Sequence, residues 1–206
     1  PFKDDKNKLI FEIPFSFSNN DLDKENEEIM YKQFRAAGIC FYVKNPFKIM
    51  MIKSKDRGYE FPGGKIDKKD KDLFDTAVRE GIEETNCKIF DSNANSIKDT
   101  IEDLKRYIGR FGKVKWLPEF KFKYGLFFIE LPESSVFESK TYGDIEEFEK
   151  INRNIYWLES NELIDLIKDN NINKFALLKM NTNLKRKFLS WLENKKLYSK
   201  LWILNN

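Results

Sequence analysis

The stretch GKIDKKDKDLFDTAVREGIEETNC, residues Gly64 to Cys87, decides how the chain is read. Within it Leu73, Phe74, Ala77, Val78 and Gly81 recur at helical spacing with most acids off their stripe, so Asp72 to Thr85 is expected to be a helix packed on the core. Asn86 suits its end, because asparagine tolerates the left-handed conformation that closes many helices. On such a helix Glu80, Glu83 and Glu84 stand at i, i+3 and i+4, so their carboxylates project from one face. Three close carboxylates repel, and Arg79 is the only base from Arg79 to Glu84. Two readings stay open on spacing alone: an acidic solvated face, or a site for a hard divalent cation such as Mg²⁺ or Mn²⁺, which prefers oxygen ligands. The preceding Gly63-Gly64 lets backbone approach a phosphate or fold tightly onto the helix.

Outside that stretch, composition narrows the chemistry. The 206 residues carry 37 basic and 34 acidic side chains, a net charge of +3 that permits a phosphate-rich partner without demanding one. Histidine is absent, which removes Ser/His/Asp and Cys/His catalysis and His-based zinc sites. Cys40 and Cys87 lack metal-ligand spacing and read as structural thiols. No apolar run reaches the roughly 18 residues that span a bilayer, and no signal pattern opens the chain, so an intracellular, cytoplasmic location is expected. A sequence opening on Pro1 is expected to begin inside a longer chain. The excess of lysine over arginine, with abundant asparagine, reads as the bias of an AT-rich genome.

The rest of the chain supplies a β framework. Residues 8–18 alternate as a strand at an edge, and residues 21–31 suit a short helix. Phe34 to Val43 and Lys48 to Lys53 flank Asn45-Pro46 and predict a hairpin. Tyr59-Glu60-Phe61 leads into Pro62-Gly63-Gly64, where the chain must turn. Asp91 to Asp103 is expected to be a loop or short helix, Glu119 to Leu131 one strand entering the core, and Asn154 to Leu158 a further strand. Asn161 to Lys168 and Lys174 to Leu201 read as helices, and no linker divides the chain, so residues 1–206 are expected to form one domain.

Gly64, Arg79, Glu80, Glu83 and Glu84 together resemble the Nudix box, G, five residues, E, seven residues, R-E-U-x-E-E-x-G-U, where U is a bulky aliphatic. The flanks, Tyr59 to Lys65, the strand Arg35 to Val43 and Tyr156-Trp157-Leu158 before Glu162-Leu163, are also similar to that family, so the likeness covers roughly residues 34–165. The segment from Gly64 to Arg79 is one residue longer than the pattern: Lys71 stands eight before Arg79, and the early glutamate is replaced by Asp70 or Asp72. Gly81 takes the place of a bulky aliphatic and Asn86 that of the box glycine; neither removes a ligand.

The resemblance implies an α/β fold, an α/β/α sandwich with a mixed β-sheet and extra C-terminal helices, and an enzyme that hydrolyses a nucleoside diphosphate linked to another group. It implies that Glu80, Glu83, Glu84 and Gly64 hold Mg²⁺ or Mn²⁺ while Arg79 orients a glutamate. Glu83, Glu84 and Arg79 would then be catalytic, together with a base from Glu146, Glu147 or Glu149, with Glu149 and Glu147 put first. A solvated loop is the competing reading of those three. Arg35, Arg57, Tyr59 and Lys65 are the expected substrate-binding residues.

The substrate is less legible. The lengthened spacing, with DTAVRE leading into EET, resembles Nudix proteins of large DNA viruses, notably a baculovirus member of decapping and ADP-ribose pyrophosphatase activity. That implies host cytoplasm and sets capped RNA, cut to release m7GDP, ahead of ADP-ribose or another small nucleotide. Lys174, Lys179, Lys185, Arg186, Lys187, Lys195, Lys196 and Lys200, interleaved with Phe175, Phe188, Trp191, Tyr198 and Trp202, suit an RNA backbone or else an amphipathic helix packed on the core. Tyr42, Tyr59 and Trp116 are candidates to stack on a base. Lys105, Arg106, Arg110, Lys113 and Lys115 form a second basic cluster, suited to phosphates or diphosphoinositol polyphosphates and otherwise expected to be a surface loop. An arginine is frequent at the position of Gly63 in cap-cleaving relatives, whereas Gly-Gly is common in small-nucleotide hydrolases. The resemblance points to no protein partner and no membrane, and the intact Glu80, Glu83 and Glu84 argue against a binding module that has lost catalysis.

Overall fold

Two short strands, β1 (Phe2–Lys3) and β2 (Leu9–Ile10), pair antiparallel at the start of the chain. The protein is seen as a computed structural model that describes residues 2–3, 9–10, 33–55, 58–111, 114–119 and 123–168. Of the strand expected at residues 8–18 only Leu9–Ile10 is described, and the elements expected at 21–31 and 174–201 lie outside the described residues.

The predicted hairpin forms the centre: β3 (Ala36–Lys44) and β4 (Phe47–Ser54) pair antiparallel around a cis Asn45-Pro46 peptide. Next, β5 (Gly58–Glu60) pairs with β4 and β6 (Gly63–Lys65) with β3, so Phe61-Pro62 carries the chain from one central strand to the other. Helix α1 (Leu73–Glu84) follows, then α2 (Ile97–Phe111), β7 (Val114–Glu119), β8 (Tyr124–Glu130), β9 (Arg153–Glu159) and α3 (Ser160–Lys168). The sheet runs β5-β4-β3-β8-β7, with β6 also on β3 and β9 on β4. It is mixed: β8 is parallel to β3, from Ala36 opposite Tyr124 to Tyr42 opposite Glu130, and the other pairings are antiparallel.

Strand alternation divides the core in two. Ile39, Phe41 and Val43 of β3 and Met50 and Ile52 of β4 face α1 and α2, meeting Phe74, Val78, Ile82, Leu104 and Ile108. Cys40, Tyr42, Ile49 and Met51 point the other way, onto Leu163 and Ile164 of α3. Helices thus cover both faces, which is the expected α/β/α sandwich. Both cysteines are buried and free, and no helix among the described residues is long and apolar enough to cross a membrane.

Two expectations need correction. The loop or short helix expected at Asp91 to Asp103 is a loop and then a helix longer than expected: α2 starts at Ile97 and, with Thr100, Leu104 and Ile108 buried, runs past residue 103. That helix also carries Lys105, Arg106 and Arg110, so those three are not on a loop. The single strand at Glu119–Leu131 is instead the end of one strand and the whole of another, β7 and β8, with Lys123 at positive φ just before β8.

Candidate active site

Helix α1 begins on an Asp72 cap that accepts the Asp75 amide at 2.7 Å, and it ends with Asn86 and Cys87 at φ of 50° and 65°. Between these stops its solvent-facing side carries Arg79, Glu80, Glu83 and Glu84. Arg79 is the hub: Nε and Nη2 donate to the two carboxylate oxygens of Asp70 at 2.9 and 3.0 Å, Nη2 also donates to the Lys65 carbonyl at 2.9 Å, and Nη1 donates to Glu83 at 2.9 Å. The same Nη1 lies 2.8 Å from Glu80 Oε1. The choice between Asp70 and Asp72 therefore resolves by geometry, since Asp72 caps the helix while Asp70 takes the guanidinium in a two-pronged pair.

Electrostatics follow from that arrangement. Burial draws the Asp70 carboxyl upward, but hydrogen bonds from Arg79, the Asp67 amide and Thr76 outweigh it and leave it below its usual value. Hydrogen bonding to Asp70 leads the causes that raise Arg79 further. Glu80 is pushed up to about 7, chiefly by burial, with Glu83 and Glu149 repelling it and Arg79 offsetting only part. Glu83 is raised for the same leading reason. Glu84 faces the other side and accepts the Gly63 amide at 2.6 Å. Because two carboxylates turn to Arg79 and one to a backbone amide, no three acidic, cysteine or histidine groups among the described residues already form a metal-spaced cluster.

These groups line two connected hollows. The larger, about 440 Å³, is walled by Gly63, Gly64, Lys65, Arg79, Glu80 and Glu149. Gly64 is needed there: a Cβ would lie 2.3 Å from Glu80 Oε2. The smaller, about 20 Å³, shares Glu80, Glu84 and Glu149 with it and adds Glu83, Glu146 and Arg153.

The far wall is a loop fastened to the end of α1. Asn86 Nδ2 donates to the carbonyls of Tyr142 and Ile145 at 2.8 and 2.9 Å, and its Oδ1 accepts the Glu147 amide at 2.9 Å. Arg153 Nε donates to the Glu84 carbonyl at 2.9 Å, and Nη1 donates to Gly143 at 2.6 Å and to Tyr142 at 3.4 Å. Buried Glu146 turns inward on its own loop, accepting the Phe148 and Glu149 amides. Sequence reading took Asn86 only as a helix end and passed over Arg153. The available signal was that Arg153 is one of just seven arginines in a chain where lysine is the default base.

The expected site residues divide accordingly. Gly64, Lys65, Arg79, Glu80, Glu83, Glu84 and Glu149 come together, whereas exposed Glu147 lines neither hollow. Arg35 is exposed just before β3, where its backbone ties Lys123 to Ile66, and it does not line the cleft. Tyr59 lies on the α3 side with Tyr156, ring centroids 6.1 Å apart, with Lys53 over its ring. Tyr42 is buried in that same cluster, which removes it as a stacking surface. Arg57 lies outside the described residues, and Trp116 is placed only as part of β7.

The family model of the NUDIX domain matches residues 32–180. Among solved structures, a C. elegans Ap4A hydrolase in a binary complex is similar at a TM-score of 0.42 and 17% identity, covering 78% of this chain and 99% of that one. A bifunctional NMN adenylyltransferase/ADP ribose pyrophosphatase from Francisella tularensis, complexed with AMP and a Mn ion, is similar at 0.40 and 18%, covering 83% of this chain and 47% of that one. No curated protein matches significantly.

Proposed function

The chain belongs to the Nudix family and is a Nudix pyrophosphatase, and we propose that it works with Mg²⁺ or Mn²⁺ held by Glu80, Glu83, Glu84 and the Gly64 backbone. The observation that carries this is the set of four carboxylates, Glu80, Glu83, Glu84 and Glu149, gathered on the two hollows and outnumbering the two guanidiniums there, Arg79 and Arg153. The donor set fits a hard divalent cation: all oxygen, half-buried, with burial first and the neighbouring carboxylates next holding Glu80 near 7. Such a cation supplies charge neutralisation and polarisation of phosphoryl oxygens. The chain's own residues do the rest. Arg79, locked by Asp70, holds Glu80 and Glu83 in place. Lys65 stands at the cleft wall as a cation for substrate phosphate. Glu149, the loop carboxylate lining both hollows, is the base that takes the proton of the attacking water.

The substrate we put first is capped RNA, cleaved to release m7GDP, supported by the basic and aromatic sequence from Lys174 to Trp202 that suits an RNA body. One observation favours the small-nucleotide reading, ADP-ribose or a relative: a Cβ at Gly63 would meet Gly38 Cα at 2.5 Å and the Ala37 carbonyl at 2.6 Å, so no arginine fits there. The deciding assay gives the protein cap-labelled RNA, free cap dinucleotide and ADP-ribose with Mg²⁺ and with Mn²⁺, Glu84→Gln serving as the blank. Release of m7GDP from long RNA but not from the free cap supports decapping. Turnover of ADP-ribose alone overturns it in favour of the small nucleotide, and no turnover of any substrate counts against both.

A further inference from the structure

The basic cluster on α2 has a hollow of its own. One face of that helix brings Asp103, Arg106, Tyr107, Arg110 and Phe111 together at i, i+3, i+4, i+7 and i+8. With Phe90 they line a hollow of about 230 Å³ that shares no residue with the acidic cleft. Its floor is aromatic: the ring centroids of Phe90 and Tyr107 are 5.3 Å apart and those of Tyr107 and Phe111 5.6 Å, at interplanar angles of 50° and 45°. Phe90 and Tyr107 pack back on the core, whereas Phe111 is 75% exposed, so the row is open to solvent at its last ring.

Two guanidiniums flank the rings. Arg110 pairs with no acid among the described residues, and Arg106 meets Asp103 at 3.0 Å with both side chains more than half exposed. A pair so exposed is weak and gives way to a stronger anion. The sequence extends the charge, since Leu104 to Pro118 holds five bases and no acid. That positive charge outweighs the roughly half negative charge at the carboxyl end of α2.

The occupant has to offer a flat ring and an anion together. An inositol polyphosphate brings anions on a saturated ring that cannot stack, and an apolar peptide brings nothing for the arginines. A volume of about 230 Å³ is below the roughly 300–1,000 Å³ of sites that enclose a whole small ligand, so it suits one ring of a longer chain. Only in a single strand is a base free to leave its neighbours and stack on a side chain. We propose that this face of α2 binds single-stranded RNA, one base entering against Tyr107 and Phe111 while Arg106 and Arg110 hold the flanking phosphates. For its part in turnover the proposal rests on the capped-RNA reading above: the RNA body is gripped away from the acidic cleft, beyond the reach of a free cap.

The first arm of the test leaves catalysis aside. A labelled, uncapped single-stranded RNA of about 15 nucleotides is titrated with the full chain in EDTA and followed by fluorescence anisotropy. Phe111→Ala and Arg110→Gln should each weaken binding about tenfold, and Arg110→Gln should reduce the salt slope of log Kd by about 0.7. An abasic strand of the same length should bind wild type about tenfold more weakly than the RNA does. Both positions are exposed, so unchanged thermal melts are the control. Wild-type affinity in both variants, equal binding of the abasic strand, or no RNA binding by the wild type overturns the proposal. Altered sedimentation of Phe111→Ala with unaltered RNA affinity makes a second copy of the chain the occupant and overturns it too. In the second arm, KM for capped RNA should rise about tenfold in Phe111→Ala while kcat moves less than about twofold; an unchanged KM overturns the part in turnover. A wild type that cleaves no capped RNA defeats the decapping reading, while the anisotropy still decides whether this face binds RNA.

Discussion

Arg79 and Arg153 stand on opposite sides of the same carboxylates and do different work. Arg79 is partly open to solvent and spends all but one of its contacts on side chains, with Asp70, Glu80 and Glu83 around it and the Lys65 carbonyl as the exception. Arg153 is buried and spends its donors on backbone, joining Glu84 to Tyr142 and Gly143. The first sets the charge of the acidic face, whereas the second sets where the loop lies. Charge and position are thus controlled from separate elements, and each can be perturbed while the other is watched.

The largest effect is expected at the acidic face itself. Glu83→Gln or Glu84→Gln should lower turnover by about 10³-fold, since either removes a charge that the proposed cation needs. The melting temperature should barely move, because neither carboxylate packs into the core. Initial rates beside a thermal melt check this, and an unchanged rate would sink the assignment of these residues.

Next comes Arg79→Ala, which strands Asp70, Glu80 and Glu83 together. A loss of about 2–3 kcal/mol in urea unfolding is expected, with activity largely gone. Asp70→Asn should lose less, because Glu80 and Glu83 keep their partner. If the two variants unfolded alike, Asp70 rather than the whole set would carry the stability of that face.

On the positional side, Asn86→Ala removes three hydrogen bonds to the loop and leaves a residue at positive φ. About 2 kcal/mol of stability should be lost. Hydrogen exchange should quicken at residues 143–149 while the Asp70–Arg79 region is unaffected. Faster exchange at both would mean the two sides are not separable.

What could be read from the sequence followed local periodicity. The stripe of Leu73, Phe74, Ala77 and Val78, and the alternation across Asn45-Pro46, state their elements through spacing alone, and α1 and the β3-β4 hairpin form as expected. The stripe of α2 is interrupted by Thr100 and surrounded by charge, so its period is hidden until Leu104 and Ile108 are seen packed on α1. β7 is masked by Lys115 and Pro118. Tyr59 is close to Gly63-Gly64 along the chain, but pairing on β4 opposite Lys53 sends its ring to Tyr156. Glu80, Glu83 and Glu84 were legible because one helix presents them. The part of Arg153 was not, because its carbonyl partner on Glu84 is 69 residues away and has no side-chain signature.

The smallest effect is expected from pH, and it separates the two arginines most cleanly. Glu80 titrates near 4.5 when unfolded and at about 7 when folded, so the folded protein holds the extra proton between those values. Stability is then greatest below 4.5, falls as pH rises towards 7 and levels above it, by an amount on the order of 1–2 kcal/mol. Asp70 acts in the opposite sense and elsewhere: its folded value lies below 3.8, so its contribution is present above 3.8 and lost only in stronger acid. In EDTA, melting temperature should therefore decline from pH 5 to pH 7 in the wild type and stay flatter in Glu80→Gln. Mg²⁺ should restore more at pH 8 than at pH 5, since the ionised face is the one that binds it. Arg153→Lys should shift the whole curve down without altering its slope, because that residue holds carbonyls rather than the titrating carboxylate; a changed slope would show that Arg153 also sets charge.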